Sequence, residues 1–307
     1  MKNSFVSAAF GAVFVLSSHA VHAELAYGMT SQFNVEGERL IRFDTASPST
    51  FVDIGAFSGL ASGRSLRSID FRPADGRLYA FGVDPQGSYG MYTVNLQTAQ
   101  LSLVGEGTVP NFAWPLRVSM DIDPVTDTVR IVTGGQSRNN FRFSPVTGAL
   151  IAEDGAVAYA VGDSNFGFNP IIQGIAYSRL TNGTTTLYGS DFNTGFLTRI
   201  GGVNGTPSPD TGAMNANGRH VTISLLNDSA GTGFDISHAT GVAFMSHDIF
   251  NNPTAGWDLS RIDLNTGRAT RIGSFGANVL DMSVVIPSPS AMVLLGLGAG
   301  IAIRRRR

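Results

Sequence analysis

The stretch Leu66–Asp84, "LRSIDFRPADGRLYAFGVD", reads as a strand, a tight turn and a second strand. Residues alternate with period two through "LYAFGV", the spacing of a β-strand. Between the strands lies Pro73-Ala74-Asp75-Gly76. Pro presets φ, Asp caps its own turn, and Gly accepts positive φ. Residues 91–107, "MYTVNLQTAQLSLVGEG", then supply a third strand, another turn and a fourth strand ending in Gly.

This four-strand order returns three times. "RVSMDIDPVTDTVRIVTGG" (117–135) precedes "NFRFSPVTGALIAEDG" (140–155). "IQGIAYSRLTNGTTTLYGSD" (172–191) precedes "FNTGFLTRIGG" (192–202). "GTGFDISHATGVAFMSHD" (231–248) precedes "DLSRIDLNTGRATRIGSFG" (258–276). Four strands recurring at a spacing of about 50 residues mark the blades of a β-propeller. A β-sandwich of ordinary hairpins is the alternative, but sandwiches seldom repeat one strand order so often.

The flanks predict how the ring closes. Residues 25–31, 38–48 and 50–57 read as strands two to four of a unit without its first strand. "VLDMSVVI" (279–286) reads as a first strand without partners. Together they make one composite blade, which removes two open sheet edges. The expected fold is all-β: a propeller of five four-stranded blades, the last closed by N- and C-terminal strands. The count becomes six if "RHVTISLLN" (219–227) and its neighbours form a further partial sheet. Gly202–Gly218, rich in Gly, Asn, Pro and Ser, reads as a long loop.

Composition narrows the chemistry. The 307 residues contain no Cys, so disulfides and thiolate sites are excluded. Lys2 and Arg304 to Arg307 supply five of the 21 basic residues. Without the two terminal segments, 16 arginines face 23 acids, a balance that disfavours nucleic acid as a partner. Lys2 is the only lysine, so the body has none for Schiff-base chemistry.

The first 23 residues carry one cation, an apolar stretch from Phe5 to Leu16 and small residues at Val21-His22-Ala23. That is the pattern of a secretory signal peptide, with cleavage expected after Ala23 by signal peptidase. At the other end, Ala291–Ile303 is apolar but short for a stable membrane span. The positive-inside rule keeps Arg304, Arg305, Arg306 and Arg307 cytoplasmic. The propeller domain is therefore expected over 24–286, with a transiently inserted segment over 287–307. A Pro-x-Pro pair, a short apolar helix and a terminal Arg cluster resemble the PEP-CTERM sorting signal of Gram-negative bacteria. Pro287 and Pro289 match its prolines, while Ser288 replaces the usual Glu. The resemblance implies processing by an exosortase-like transpeptidase and a place at the cell surface, outer envelope or extracellular matrix. An ordinary tail anchor is the alternative.

The body resembles the bacterial secreted proteins grouped as domain of unknown function 4394. The resemblance rests on an Asp-Phe-x-Pro strand with Gly-x-Leu-Tyr at 70–79, on Asp123, Pro124, Asp127, Arg130, Ile131 and Val132, and on Arg142, Phe143, Pro145, Thr147 and Gly148. It covers roughly residues 25–285 and implies a propeller-like fold and export. It implies no activity.

Four candidate metal ligands recur by position. Asp70, Asp121, Asp235 and Asp281 take the same place in four first strands, and Ala176 takes it in the remaining one. First strands line the channel, where a carboxylate ring suits Ca²⁺. The alternative is that each Asp accepts hydrogen bonds from amides of the next blade. Asp121, Asp123 and Asp127 form a second acidic group, readable as loop calcium or as an Asx-Pro turn. His220, His238 and His247 come without a third metal ligand or a nucleophile. Tyr89, Trp114 and Trp257 suit sugar stacking from loops, or packing between blades. No catalytic residue is assigned. The expectation is an exported, non-catalytic surface or matrix propeller binding glycan or protein, with no cofactor unless Ca²⁺. The alternative is an extracellular hydrolase or lactonase-like propeller using a channel calcium.

Overall fold

The computed structural model describes residues 23–31, 37–112, 117–219, 232–248 and 257–286. The stretch before Ala23 that reads as a signal peptide, Trp114, His220 and the residues 287–307 that read as a sorting signal lie outside them. Strands β1 (Leu25–Ser31), β2 (Glu38–Asp44) and β3 (Val52–Ala56) form a meander. Blade I follows with β4 (Ser65–Phe71), β5 (Leu78–Val83), β6 (Ser88–Val94) and β7 (Leu101–Thr108). Its first hairpin sets Asp70 opposite Tyr79. Gly76 in the turn has φ 67°, and its amide donates to the Arg72 carbonyl at 2.8 Å.

Blade II comprises β8 (Arg117–Asp123), β9 (Thr128–Gly134), β10 (Asn140–Phe143) and β11 (Leu150–Glu153). A short β12 (Ala158–Tyr159) then leads to blade III: β13 (Ile172–Tyr177), β14 (Leu187–Asp191), β15 (Phe196–Ile200) and β16 (Ala213–Arg219). Blade IV comprises β17 (Gly233–Ile236), β18 (Ala243–His247), β19 (Asp258–Ile262) and β20 (Ala269–Ser274).

The last strand, β21 (Asn278–Val284), joins β1 and completes blade V in the order β21-β1-β2-β3. Tyr27 is the hinge of this closure, opposite Arg42 on one side and Ser283 on the other. The first strands β4, β8, β13, β17 and β21 touch in sequence, and β21 returns to β4. The ring therefore closes with five blades through strands from opposite ends of the chain. An extra sheet at 219–227 would need residues 220–227, outside the described set.

One segment departs from expectation. Gly202–Gly218 is not a loop throughout: from Ala213 it forms β16, the outer strand of blade III. "AMNANGR" contains no β-branched residue, so its sequence hides a strand that backbone pairing makes. Met214 faces Ile200, is fully buried, and its strand also pairs in parallel with β12.

Each of the five apolar clusters straddles one seam between blades. Between blades I and II, Phe81 and Tyr89 pack on Phe143, with ring centroids at 5.5 and 4.9 Å. Between IV and V, Phe43 meets Phe275 edge to face at 4.9 Å. Burying one such ring is worth about 1.5–3 kcal/mol, so the seams hold the ring together. Tyr89 and Trp257, suited by sequence to sugar stacking, are 2% and 3% exposed and belong to these clusters.

Candidate functional site

The first strands deliver their inward residues in two rungs, two residues apart on the same strand face. The upper rung is Asp70, Asp121, Ala176, Asp235 and Ser283. Each side-chain acceptor there takes the amide that follows its counterpart in the next blade. Asp70 accepts from Ile122 at 2.8 Å, Asp235 from Val284 at 2.6 Å and Ser283 from Phe71 at 3.1 Å. Asp121 accepts from the Tyr177 amide. The Ser283 hydroxyl also donates to Asp70 at 2.8 Å and reaches Asp235 at 3.2 Å.

The lower rung is Ser68, Ser119, Gly174, Gly233 and Asp281. Asp281 accepts from the Ser68 hydroxyl at 2.5 Å and the Ile69 amide at 2.8 Å. Ser68 in turn accepts from Met120 at 3.0 Å. So the positional series needs correcting at one member. Asp281 stands one rung below the other three, and Ser283 occupies the place assigned to it. The order Ser-x-Asp in blades I and II is reversed to Asp-x-Ser in blade V. Close approach accounts for the glycines. A Cβ on Gly174 would sit 2.6 Å from the Phe234 Cβ, and one on Gly233 would sit 2.7 Å from the Met282 nitrogen.

The hub is acidic and buried. Asp70, Asp121, Asp235 and Asp281 are 6%, 2%, 5% and 8% exposed. One oxygen from each of Asp70, Asp121 and Asp235 lies within 4.8 Å of the others. Burial, and then the Asp235 charge, push Asp70 well above the usual carboxylate range; burial and the charges of Asp70 and Asp235 do the same to Asp121. Asp235 is raised by burial against its amide bonds and the nearby His238. Burial chiefly raises Asp281 to about 7.

The second acidic group separates. Asp123 caps its own turn, accepting from the Val125 amide at 2.8 Å and the Thr126 hydroxyl at 2.9 Å. Asp127 instead pairs with Arg72 of blade I through bonds of 2.8 and 2.5 Å. Two histidines also part company. His238 follows β17, while His247 ends β18 at the opposite end of the blade, with Nε2 2.8 Å from the Ser260 hydroxyl. Burial lowers both below the usual imidazole value.

A charged knot joins blades II and III. Arg130, 2% exposed, donates to Tyr177 at 2.7 Å, Asn140 at 2.5 Å, Asp154 at 3.1 Å and Asp210 at 2.6 Å. Arg142 holds Asp154 from the other side at 2.7 and 2.9 Å. The residues Asp70, Arg72, Asp127 and Arg130 thus share one task, that of tying a blade to the next. Two of the recesses among the described residues are open to the surface. One, about 190 Å³, is lined by Asp123, Thr126, Tyr177, Thr184, Asn204 and Ser208. The other, about 660 Å³, runs past Tyr188, Thr240, Arg261, Asp263, Asn265 and Thr270.

Fold and hub together define a five-bladed β-propeller, closed by a composite blade and laced by buried acceptors. The profile described as Domain of unknown function (DUF4394) matches residues 39–283, and the chain belongs to that family. No curated protein matches the sequence. Among solved structures, a GH43 glycoside hydrolase engineered for endo-xylanase and exo-arabinofuranosidase activity is 12% identical with a TM-score of 0.52, over 87% of this chain and 53% of its own. An alpha-L-arabinofuranosidase from Clostridium thermocellum is 14% identical with a TM-score of 0.49, over 80% and 85%. TolB from Acinetobacter baumannii is 11% identical with a TM-score of 0.38, over 82% and 53%. The chain spans about half the length of the first and third. These likenesses concern the fold alone.

Proposed function

We propose that this protein is a non-catalytic propeller, exported and retained outside the cytoplasm, that binds matrix or surface glycan. One observation carries the reading: most charged residues of the hub and of the family segments are held by partners inside the ring, several of them in the next blade. Asp70, Asp235, Asp281, Arg72 and Arg130 all face partners within the ring. None is left on a solvent-open surface as a nucleophile or base. The groove past Tyr188 offers what a polyhydroxylated chain needs: an aromatic side chain, two hydroxyls, an amide and opposite charges on Arg261 and Asp263. The signal-peptide pattern before Ala23 and the Pro-Ser-Pro, apolar and tetra-arginine pattern at the other end support export and surface sorting.

The test is to expose the full chain to an array of matrix polysaccharides and to chromogenic glycosides and lactones. Binding without turnover is expected, weakened by Tyr188→Ala together with Arg261→Ala. Absence of binding to every polymer, or turnover of any substrate, overturns the reading.

A further inference from the structure

We propose that the carboxylates of Asp70, Asp121 and Asp235 hold one divalent cation of the Ca²⁺ class, which pins blades I, II and IV together at the hub. The inference is independent of what the outer surface binds. Three observations carry it. The three oxygens lie within 4.8 Å of one another, the span of two ligands each about 2.4 Å from a central calcium. Asp121 is 2% exposed, yet its Oδ1 has no hydrogen-bond partner. Two residues earlier on the same strand face, the Ser119 hydroxyl is also buried and unpartnered.

Buried polar oxygens are rarely left unpaired, because each lost bond costs about 1–3 kcal/mol. Two other carboxylates of this hub obey that rule. Asp281 takes three donors, and Asp235 is met by Ile236, Val284 and Ser283. The exceptions fall on the strand whose carboxylate faces the other two. A proton shared by one pair would relieve like charge between those two, but it leaves the third carboxylate facing them and the Ser119 hydroxyl unpartnered. A cation satisfies the Asp121 oxygen and neutralises its neighbours together.

The donor set selects the ion. All donors are hard oxygens, which excludes thiophilic metals. Mg²⁺ dehydrates reluctantly and keeps several waters in an octahedral shell, which suits a buried set of carboxylates less than Ca²⁺ does. Ala176 stands at this level in blade III, so that blade adds no fourth carboxylate to the set. The site is closed to substrate, so the ion is structural.

The test uses the full chain, unfolded in urea with EGTA and refolded with CaCl₂, MgCl₂ or neither, alongside native protein desalted into chelator-free buffer. Elemental analysis is expected to find one calcium per native chain. Refolding in Ca²⁺ is expected to raise the melting temperature by about 5 °C or more over EGTA, with a smaller effect of Mg²⁺. Asp121→Asn is expected to weaken Ca²⁺ binding about 100-fold or more. Ser119→Ala, a milder change, is expected to weaken it less and to fold. Native protein with only trace calcium and an unchanged melt in EGTA overturns the proposal. So does undiminished calcium in both Asp121→Asn and Asp235→Asn.

Discussion

Blade III meets its two neighbours by different chemistry. Its seam with blade II adds charged and polar bonds to an apolar cluster: the Asp121–Tyr177 amide bond, the Arg130 knot, and the Asn140 side chain donating to the Pro209 carbonyl at 2.9 Å. Its seam with blade IV is apolar and close. Ala176, Leu197, Phe234, Ile236 and Met245 pack there, and Gly174 lets the first strands approach. A polar tie across it is the Thr232 hydroxyl donating to the Gln173 side-chain oxygen at 2.6 Å. The rule of the ring is therefore not a fixed residue at each rung. It is a filled seam, and an acceptor or a methyl group fills it equally well.

The largest expected effect breaks the polar seam. Arg130→Met leaves Tyr177 and Asn140 without their buried donor and Asp154 and Asp210 held by Arg142 alone, and should cost about 3–5 kcal/mol in urea unfolding. A smaller loss than that of any apolar truncation at the III–IV seam would reverse the contrast. Next comes pH. Asp281 binds its proton more tightly folded than unfolded, because burial raises it to about 7 from 3.8. Below pH 4 both states hold the proton. Between about pH 4 and 7 only the folded chain does, so stability falls as pH rises and then levels off. We expect a loss of roughly 2–4 kcal/mol across that window in EGTA, flattened by Asp281→Asn. A curve that rises with pH would contradict the buried-acid hub.

Gly174→Ala tests the apolar seam. The new methyl meets the Phe234 Cβ and the Thr232 carbonyl at 2.6 and 2.9 Å, and overpacking of this kind should cost about 1–3 kcal/mol. Neutral substitution would show the strands free to part. Smallest is Arg39→Ala. Arg39 and Asp53 form a two-pronged pair at 2.7–3.1 Å on the open face of blade V. Urea unfolding should show a loss of no more than about 0.5 kcal/mol, as for other solvent-facing pairs.

The blade repeat and the composite closure could be read from sequence because both rest on local chemistry. Turn residues sit at fixed offsets, and strands alternate. The rung of Asp281 could not. Period-two alternation says which face a residue takes, but i and i−2 share a face. Only the neighbour's amides decide which is level with Asp70. The Arg130 knot was hidden for another reason: Asp210 lies 80 residues away, inside a segment that looks like loop. Strand β16 was masked by its own composition, since Ala, Asn and Gly carry little strand signal. The buried fate of Tyr89 and Trp257 depends on partners in other blades, which spacing along the chain cannot show.

The composite blade has a mechanical consequence. Its inner strand β21 ends at Val284, and the Val285 amide is still clasped by the Leu25 carbonyl at 2.8 Å. Any tension passed through residue 286 runs along the length of β21. The ladder from Ala26–Val284 to Ser31–Asn278 then resists in shear, its bonds loaded together instead of peeling one by one. A tug on that end strains the clasp where it is strongest, as a rope pulls on a cleat.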